Sequence, residues 1–294
     1  MIFDCSSPDQ LDRLMWSLCY LSNGKHVTFY YSILKVLVLL ALAAPISIGL
    51  GLFLAILAKS DISPLKLLGK FIILIVRGIP DIAWFMFFVI ALDQGLEWVR
   101  HITLCPDWTE PIRQGADFLV CEKAKLPGNS SSETIHEIYG FILAIITFSI
   151  IFGAFAGNIF SGALEAVPKD QIETAEAYGL NPRQIFWRIS FKQMWIYALP
   201  GLSNLWMILI KATPLLFLLG IEDIVYWARE LGGAKTPRFT EYPHGDWRLW
   251  YFLFLLIFYL TLTKLSEKVL DKLTRKLTHG MGFSGENFLQ GQSH

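Results

Sequence analysis

Few residues in this 294-residue chain could do chemistry, and they stand in unusual places. Arg77, Asp81 and Lys211 fall inside long apolar runs, as do Asn158, Asn204 and Thr213. A charge inside a bilayer is costly, so such residues mark a solute pathway, a gate or an ion pair within a bundle. Arg77 and Asp81 are four apart and can pair along one helix. Lys211 stands alone midway along its run. It faces a pathway or gating interface, or it pairs with an acid such as Asp81 on a neighbouring helix. Asn158 and Asn204 can hydrogen-bond across a helix interface or touch a solute. The usual reactive sets are missing from the sequence. The six histidines are scattered outside the apolar runs, and neither an H-E-x-x-H motif nor a Ser/His/Asp set is suggested. A phosphate loop G-x-x-x-x-G-K-[ST] is also missing: before Lys59-Ser60, Phe53 and Ala58 occupy the glycine positions. These types and spacings suit a pathway or a packed helix bundle, with no catalytic residue, metal or cofactor expected.

The elements that must position them are membrane spans. Apolar residues make up 54% and charged residues 17%, against about 25% charged in a soluble domain. Mean hydropathy is +0.47. The formal net charge is zero, without the basic excess of a nucleic-acid binder. Five runs are long enough to cross about 30 Å of hydrocarbon as helices: Ile33–Ala58, Leu67–Leu92, Ile138–Phe160, Met194–Leu219 and Leu249–Leu265. The expected fold class is therefore all-α, an integral membrane protein with five transmembrane helices. Its parts are residues 1–32, a five-span domain over 33–265 and a tail over 266–294. Gly78 and Pro80 should kink the second span and Pro214 the fourth, because proline lacks the N–H that a helix interior needs. Gly153 and Gly157, with Gly49 and Gly51, have spacings suited to close helix approach.

Lys and Arg density sets the orientation. Segments 59–70, 161–193 and 264–294 carry 12 Lys/Arg in 76 residues; segments 1–31, 93–137 and 220–248 carry 10 in 105. The first set is assigned to the cytoplasm, giving an outside N-terminus and an inside C-terminus. All four cysteines (Cys5, Cys19, Cys105 and Cys121) fall in the second set, on the side where disulfides persist. Four cysteines allow three pairings, among which the sequence does not choose; Cys105–Cys121 would close a short local loop. Residues 8–21 read as a short amphipathic helix with Ser7 as its cap and Leu11, Leu14, Met15 and Leu18 on one face. It lies in the membrane interface or packs on the bundle. The insertion 93–137 is acidic, with eight Asp/Glu and four Lys/Arg.

The inner linker 161–193 is too polar to span and too patterned for a passive loop. Pro168 ends the preceding helix. Asp170 stands three before Glu173 in a capping-box-like start. Ile172, Ala175 and Ala177 offer a small apolar surface. Gly179 stops the helix, and Asn181-Pro182 starts another.

Glu173-Thr-Ala175-Glu-Ala-Tyr-Gly179 resembles the E-A-A-x-x-x-G loop of bacterial ABC importer permeases. Val167-Pro168-Lys169, Arg77-Gly78-Ile79-Pro80 and Lys211-Ala-Thr213 narrow the resemblance to the polar amino-acid subfamily, the histidine/glutamine/arginine type. It covers roughly residues 30–92 and 138–265. It implies a type I ABC importer permease fold in the bacterial inner (cytoplasmic) membrane. It further implies two ATP-binding subunits docked on the loops, a second permease subunit (an identical copy or a related chain) and a periplasmic substrate-binding protein. ATP hydrolysis would belong to the partner. Asp170, Glu173, Ala175 and Gly179 would form the ATPase-coupling loop; Arg77, Asn158, Asn204, Lys211 and Thr213 would be pathway candidates. The chain departs from the subfamily where Asn158 and Leu205 replace acids and where Ala212 and Pro214 replace a more polar pair. A non-transporting scaffold of the same fold, or an importer of another small polar solute, is the alternative reading.

Overall fold

The structure, a computed structural model, describes residue 5 and residues 12–60, 62–115, 117–238 and 240–278. Among these are helices α1 (Arg13–Leu21), α2 (Gly24–Ala58), α3 (Ser63–Gly78), α4 (Asp81–Leu104), α5 (Glu133–Glu165), α6 (Lys169–Ala177), α7 (Pro182–Ile185), α8 (Phe191–Ala212), α9 (Ile224–Gly232) and α10 (Arg248–Thr278). A two-stranded antiparallel ribbon, β1 (Arg113–Gln114) and β2 (Asp117–Phe118), interrupts the helical pattern, with Arg113 opposite Phe118.

Five helical segments are long and apolar enough to cross a membrane: Gly24–Ala58, Asp81–Leu104, Glu133–Glu165, Pro182–Leu219 and Arg248–Leu277. Most run past the apolar windows read from sequence, since polar residues continue a helix once lipid or packing has started it. The second differs in kind. The run expected at Leu67–Leu92 is divided between α3 and α4, and the spanning helix is α4. Pro80 is the cause. It disfavours helix at Ile79, so Gly78 is the last residue of α3 and Pro80 becomes the N-cap of α4. The expected kink is a complete break. At 16 residues, α3 is about 24 Å long and too short to span.

The chain forms two compact units. The first comprises Met1–Ala43, Ile79–Ser149 and Ala212–Phe258. In it Phe85 packs on Phe148 at 4.5 Å between ring centres, Tyr139 donates to Asp93 Oδ1 at 2.8 Å, and Lys35 pairs with Glu137 at 2.6 Å. Disulfides join Cys5 to Cys19 and Cys105 to Cys121. The second bridge closes the insertion, which is tied to α4 by side chains one turn apart. Glu97 Oε1 accepts from the Leu126 N–H at 3.0 Å, Arg100 donates to the carbonyls of Lys123 and Ala124 at 2.9 and 3.2 Å, and His101 Nδ1 accepts from the Cys121 N–H at 3.0 Å. His101, Cys105 and Cys121 come together as a metal site would require. Both sulfurs, however, are spent on the disulfide. Asp12 is the N-cap of α1; the expected cap Ser7, and Leu11 of the expected apolar face, lie outside the described residues. Cys19 and Tyr20 are buried while Leu14 and Leu18 are exposed. The helix therefore packs by its Cys/aromatic face and presents Leu14 and Leu18 outward.

The second unit comprises Ala44–Gly78, Ile150–Lys211 and Tyr259–His294. Glycines set its closest approach. A Cβ at Gly51 would lie 2.4 Å from Ala156 Cβ and 2.7 Å from the Gly157 nitrogen; one at Gly153 would strike Leu50 at 2.8 Å. Gly49, expected to help, has open space around it. Half of the most apolar window of α5 is buried, against 6% in α4 and in α10. Helix α5 is thus the central element, and α4 and α10 show their apolar surfaces to lipid or to other subunits.

Gly51→Ala should lower the stability of the detergent-solubilised protein by about 1–3 kcal/mol through overpacking, while Gly49→Ala leaves it unchanged; thermal unfolding compares them directly. Replacing both Cys105 and Cys121 by Ser should remove about 3 kcal/mol of loop constraint and make limited proteolysis between residues 106 and 131 faster, with membrane insertion intact.

Candidate functional site

The segment 165–193 folds as a small mechanical unit. Pro168 precedes α6 without a side-chain cap, and Asp170 sits in the first turn, where a negative charge favours the helix N-terminus. The expected Asp170–Glu173 capping box does not form. Thr174 Oγ1 instead donates back to the Asp170 carbonyl at 2.7 Å, which leaves the first-turn N–H groups without a side-chain cap. Glu173, Glu176 and Tyr178 are exposed; Tyr178 keeps 82% of its surface open, whereas Ala175 is buried. The helix ends in a Schellman motif: the Gly179 N–H donates to the Glu176 carbonyl at 2.8 Å and the Leu180 N–H to the Ala175 carbonyl at 3.1 Å. Gly179 has φ +79°, a left-handed conformation that glycine adopts without a Cβ clash. Asn181 then caps α7 in a reciprocal capping box. Its Oδ1 accepts from the Gln184 N–H at 2.9 Å, and its N–H donates to Gln184 Oε1 at 3.0 Å. Pro182 occupies the first helical turn.

One turn of π-helix, Phe186–Ser190, joins α7 to α8. Gln193 on α8 donates to Gln171 on α6 and ties the two together. Between them lies an open groove of about 490 Å³ whose lining includes Asp170, Thr174, Tyr178, Arg188 and Lys192. The arrangement offers a stiff, short helix with two acids and a tyrosine on its open face. It is suited to transmitting force, because its C-terminal end is fixed by backbone hydrogen bonds and its first turns are tied to α8 through Gln171.

The intramembrane candidates fall on α3, α5, α8 and the segment after α8. Arg77 is the penultimate residue of α3, and its side chain lies outside the described part. Asn158 on α5 is half-buried; Asn204 and Lys211 on α8 are exposed. Among the described residues, neither Lys211 nor Asp81 takes part in an ion pair, so the suggested partnership between them is not made. Thr213 is fully buried and opens a 3-10 segment, Thr213–Leu219. Pro214 stands in its first turn.

Asp223 escaped the sequence reading. Its side chain is wholly buried at the N-cap of α9, where Oδ1 accepts from the N–H groups of Val225 and Tyr226 at 3.1 and 2.9 Å. Burial pushes its carboxyl up to about 6. The signal was available: an Asp directly before an apolar helical run, after a glycine (Gly220) that takes φ +74°.

Over 233 residues, 79% of this chain and 87% of the relative, the sequence is 29% identical to the arginine ABC transporter permease protein ArtQ of Escherichia coli (strain K12). It is 39% identical over 146 residues, 49% of this chain, to the histidine/lysine/arginine/ornithine transport system permease protein HisQ of the same organism, covering 59% of it. The fold is similar to a crystal structure of an amino acid ABC transporter with histidines, with a TM-score of 0.60, 20% identity and coverage of 87% of this chain and 98% of that one. Residues 47–279 match the family model of the binding-protein-dependent transport system inner membrane component. The chain belongs to that family, the permease subunits of ABC transporters.

Proposed function

We propose that the chain is the permease of an ATP-driven importer of a polar amino acid, delivered by a periplasmic binding protein. Helix α6 is the element that couples it to the ATPase. The observation that carries the coupling role is the short helix itself. It is closed by a Schellman turn at Gly179, braced by Gln171–Gln193, and leaves Glu173 and Tyr178 exposed for a partner. The similarity to arginine and histidine-type permeases supports the substrate class. The N-terminus is assigned to the periplasm and the C-terminus to the cytoplasm, on the Lys/Arg counts and on the two disulfides, which both fall on the proposed outer side.

In this reading Lys211 serves the solute. It is an exposed ammonium in a spanning helix, without an ion pair among the described residues. In a membrane such a charge must face protein or a water-filled cavity. An amino-acid carboxylate passing that cavity supplies the missing counter-charge. Asn158, Asn204, Thr213 and Arg77 are proposed as further pathway residues.

Uptake of labelled amino acids into proteoliposomes, with ATPase subunits and binding protein present, tests the assignment. Gly179→Asp should leave insertion and ATPase binding intact while abolishing uptake. A Cβ there meets no neighbour, but at φ +79° an aspartate strains the turn that ends α6, so the damage falls on the angle of the coupling loop rather than on bundle packing. Normal uptake by this variant removes the coupling role. Lys211→Met should reduce uptake at least about tenfold, the equivalent of one charge-assisted bond, with basal ATP hydrolysis unchanged; undiminished uptake places Lys211 outside the pathway.

A further inference from the structure

Two histidines and two tyrosines of the first unit form one continuous hydrogen-bonded chain. Asn23 Oδ1 lies 3.1 Å from His26 Nδ1, and His26 Nε2 lies 2.6 Å from the Tyr251 hydroxyl. The Tyr251 and Tyr20 hydroxyls are 3.1 Å apart, and Tyr20 is 3.0 Å from His244 Nε2. His244 Nδ1 ends the chain, 2.7 Å from the Gly245 carbonyl. Both ends of the chain are acceptors. Gly245 presents a carbonyl. The Asn23 amide is oriented by the His26 backbone N–H, which donates to the same Oδ1 at 2.9 Å. Each Nδ1 must therefore carry a proton.

The five contacts need five protons, and two neutral histidines and two tyrosines supply four. With both Nδ1 protons directed outward, both Nε2 atoms are acceptors and each takes a tyrosine proton. The Tyr20–Tyr251 contact is then two oxygens with no proton between them. One added proton on either imidazole completes every bond. His26 is 1% exposed, while His244 is only half-buried and stacks on Trp247 at 4.2 Å with the rings 11° from parallel. The charge is less costly at the more exposed ring, and the indole face attracts it. The bonds then run one way, from His244 through Tyr20 and Tyr251 to His26 and Asn23.

We propose that His244, as an imidazolium, closes this chain and clasps α1 to the N-terminal turns of α2 and α10, holding α1 more firmly in mildly acidic than in alkaline medium. The other charged groups on these elements do not replace it. Lys235 is paired with Glu230 at 2.6 Å and Arg248 with Asp246 at 2.9 Å; Glu241 stands exposed beside Tyr242, and Asp12, Arg13 and Lys25 are exposed. Histidine is the side chain that ordinarily changes charge between pH 5 and 8. On the orientation proposed above, the clasp meets the periplasmic medium, whose acidity follows the surroundings. The clasp itself does not depend on that orientation.

Hydrogen exchange of the purified full-length chain with its ATPase subunits, in nanodiscs at pH 5.5 and 8 and corrected for the intrinsic pH effect, reads the clasp through peptides covering residues 12–30. The native protein should open roughly five- to tenfold less often at pH 5.5, the equivalent of one hydrogen bond. In Tyr251→Phe, Tyr20 can donate to neutral His244, no proton is missing between them, and the pH effect should vanish. In His244→Gln the amide can donate to Tyr20 at any pH, and the effect should vanish as well, at whatever absolute stability the variant has. A pH effect that survives in His244→Gln, or its absence from the native protein, overturns the proposal. Either result leaves the importer reading standing, since uptake is measured separately.

Discussion

In hydrocarbon, a backbone N–H or C=O has no water to bond, so each must be satisfied inside the protein. The architecture follows from that constraint. The chain crosses in long helices and departs from them at a few places where particular residues take over. At Ile79–Pro80 the missing proline N–H and the steric demand on its predecessor end one helix and begin another. At Thr213–Leu219 the helix tightens to 3-10 form and stops at Gly220 in a left-handed conformation. After it, the buried Asp223 replaces the helical partners of two backbone N–H groups with its own carboxylate. These are the positions where the uniform helix gives way.

The same constraint governs packing. Lipid is as apolar as leucine, so helices in it gain little from burying leucine against leucine and must fit closely instead. Gly51, Gly153 and Gly157 allow backbone-distance contact between α2 and α5. Helix α5 becomes the centre of both units, contributing Phe148 to one and Phe152 and Phe160 to the other. Surface left over on α4 and α10 is apolar and unfilled, as expected of a subunit that shares its membrane boundary with lipid and other chains.

The coupling segment and the α1 clasp fix short helices by different means. Helix α6 is held by a Schellman turn at its end, by the Asn181 capping box that opens the following α7, and by one amide–amide contact with α8. Such bonds do not vary with pH, which suits an element proposed to transmit force. Helix α1 is held by a disulfide and a chain of titratable side chains. Its attachment is therefore open to control by a proton.

Much of this was written in the sequence. Five apolar runs determined the all-helical membrane fold, because their length and hydropathy are local properties that lipid reads directly. The Gly179 stop and the Asn181-Pro182 restart were legible for a similar reason: capping is satisfied within a few residues of itself. The location of the second span was not, since hydropathy cannot tell a helix that bends at proline from one that ends there. Asp170–Glu173 had the spacing of a capping box, but Pro168 took the cap position and left the pair unused. Gly49 and Gly51 looked alike in sequence; only the approach of α5 made one indispensable and left the other in open space. The proton-deficient chain through His26, Tyr251, Tyr20 and His244 joins residues more than 200 positions apart. Only the tertiary structure could create it, because a hydrogen-bond count has meaning only once every donor has been placed opposite its acceptor.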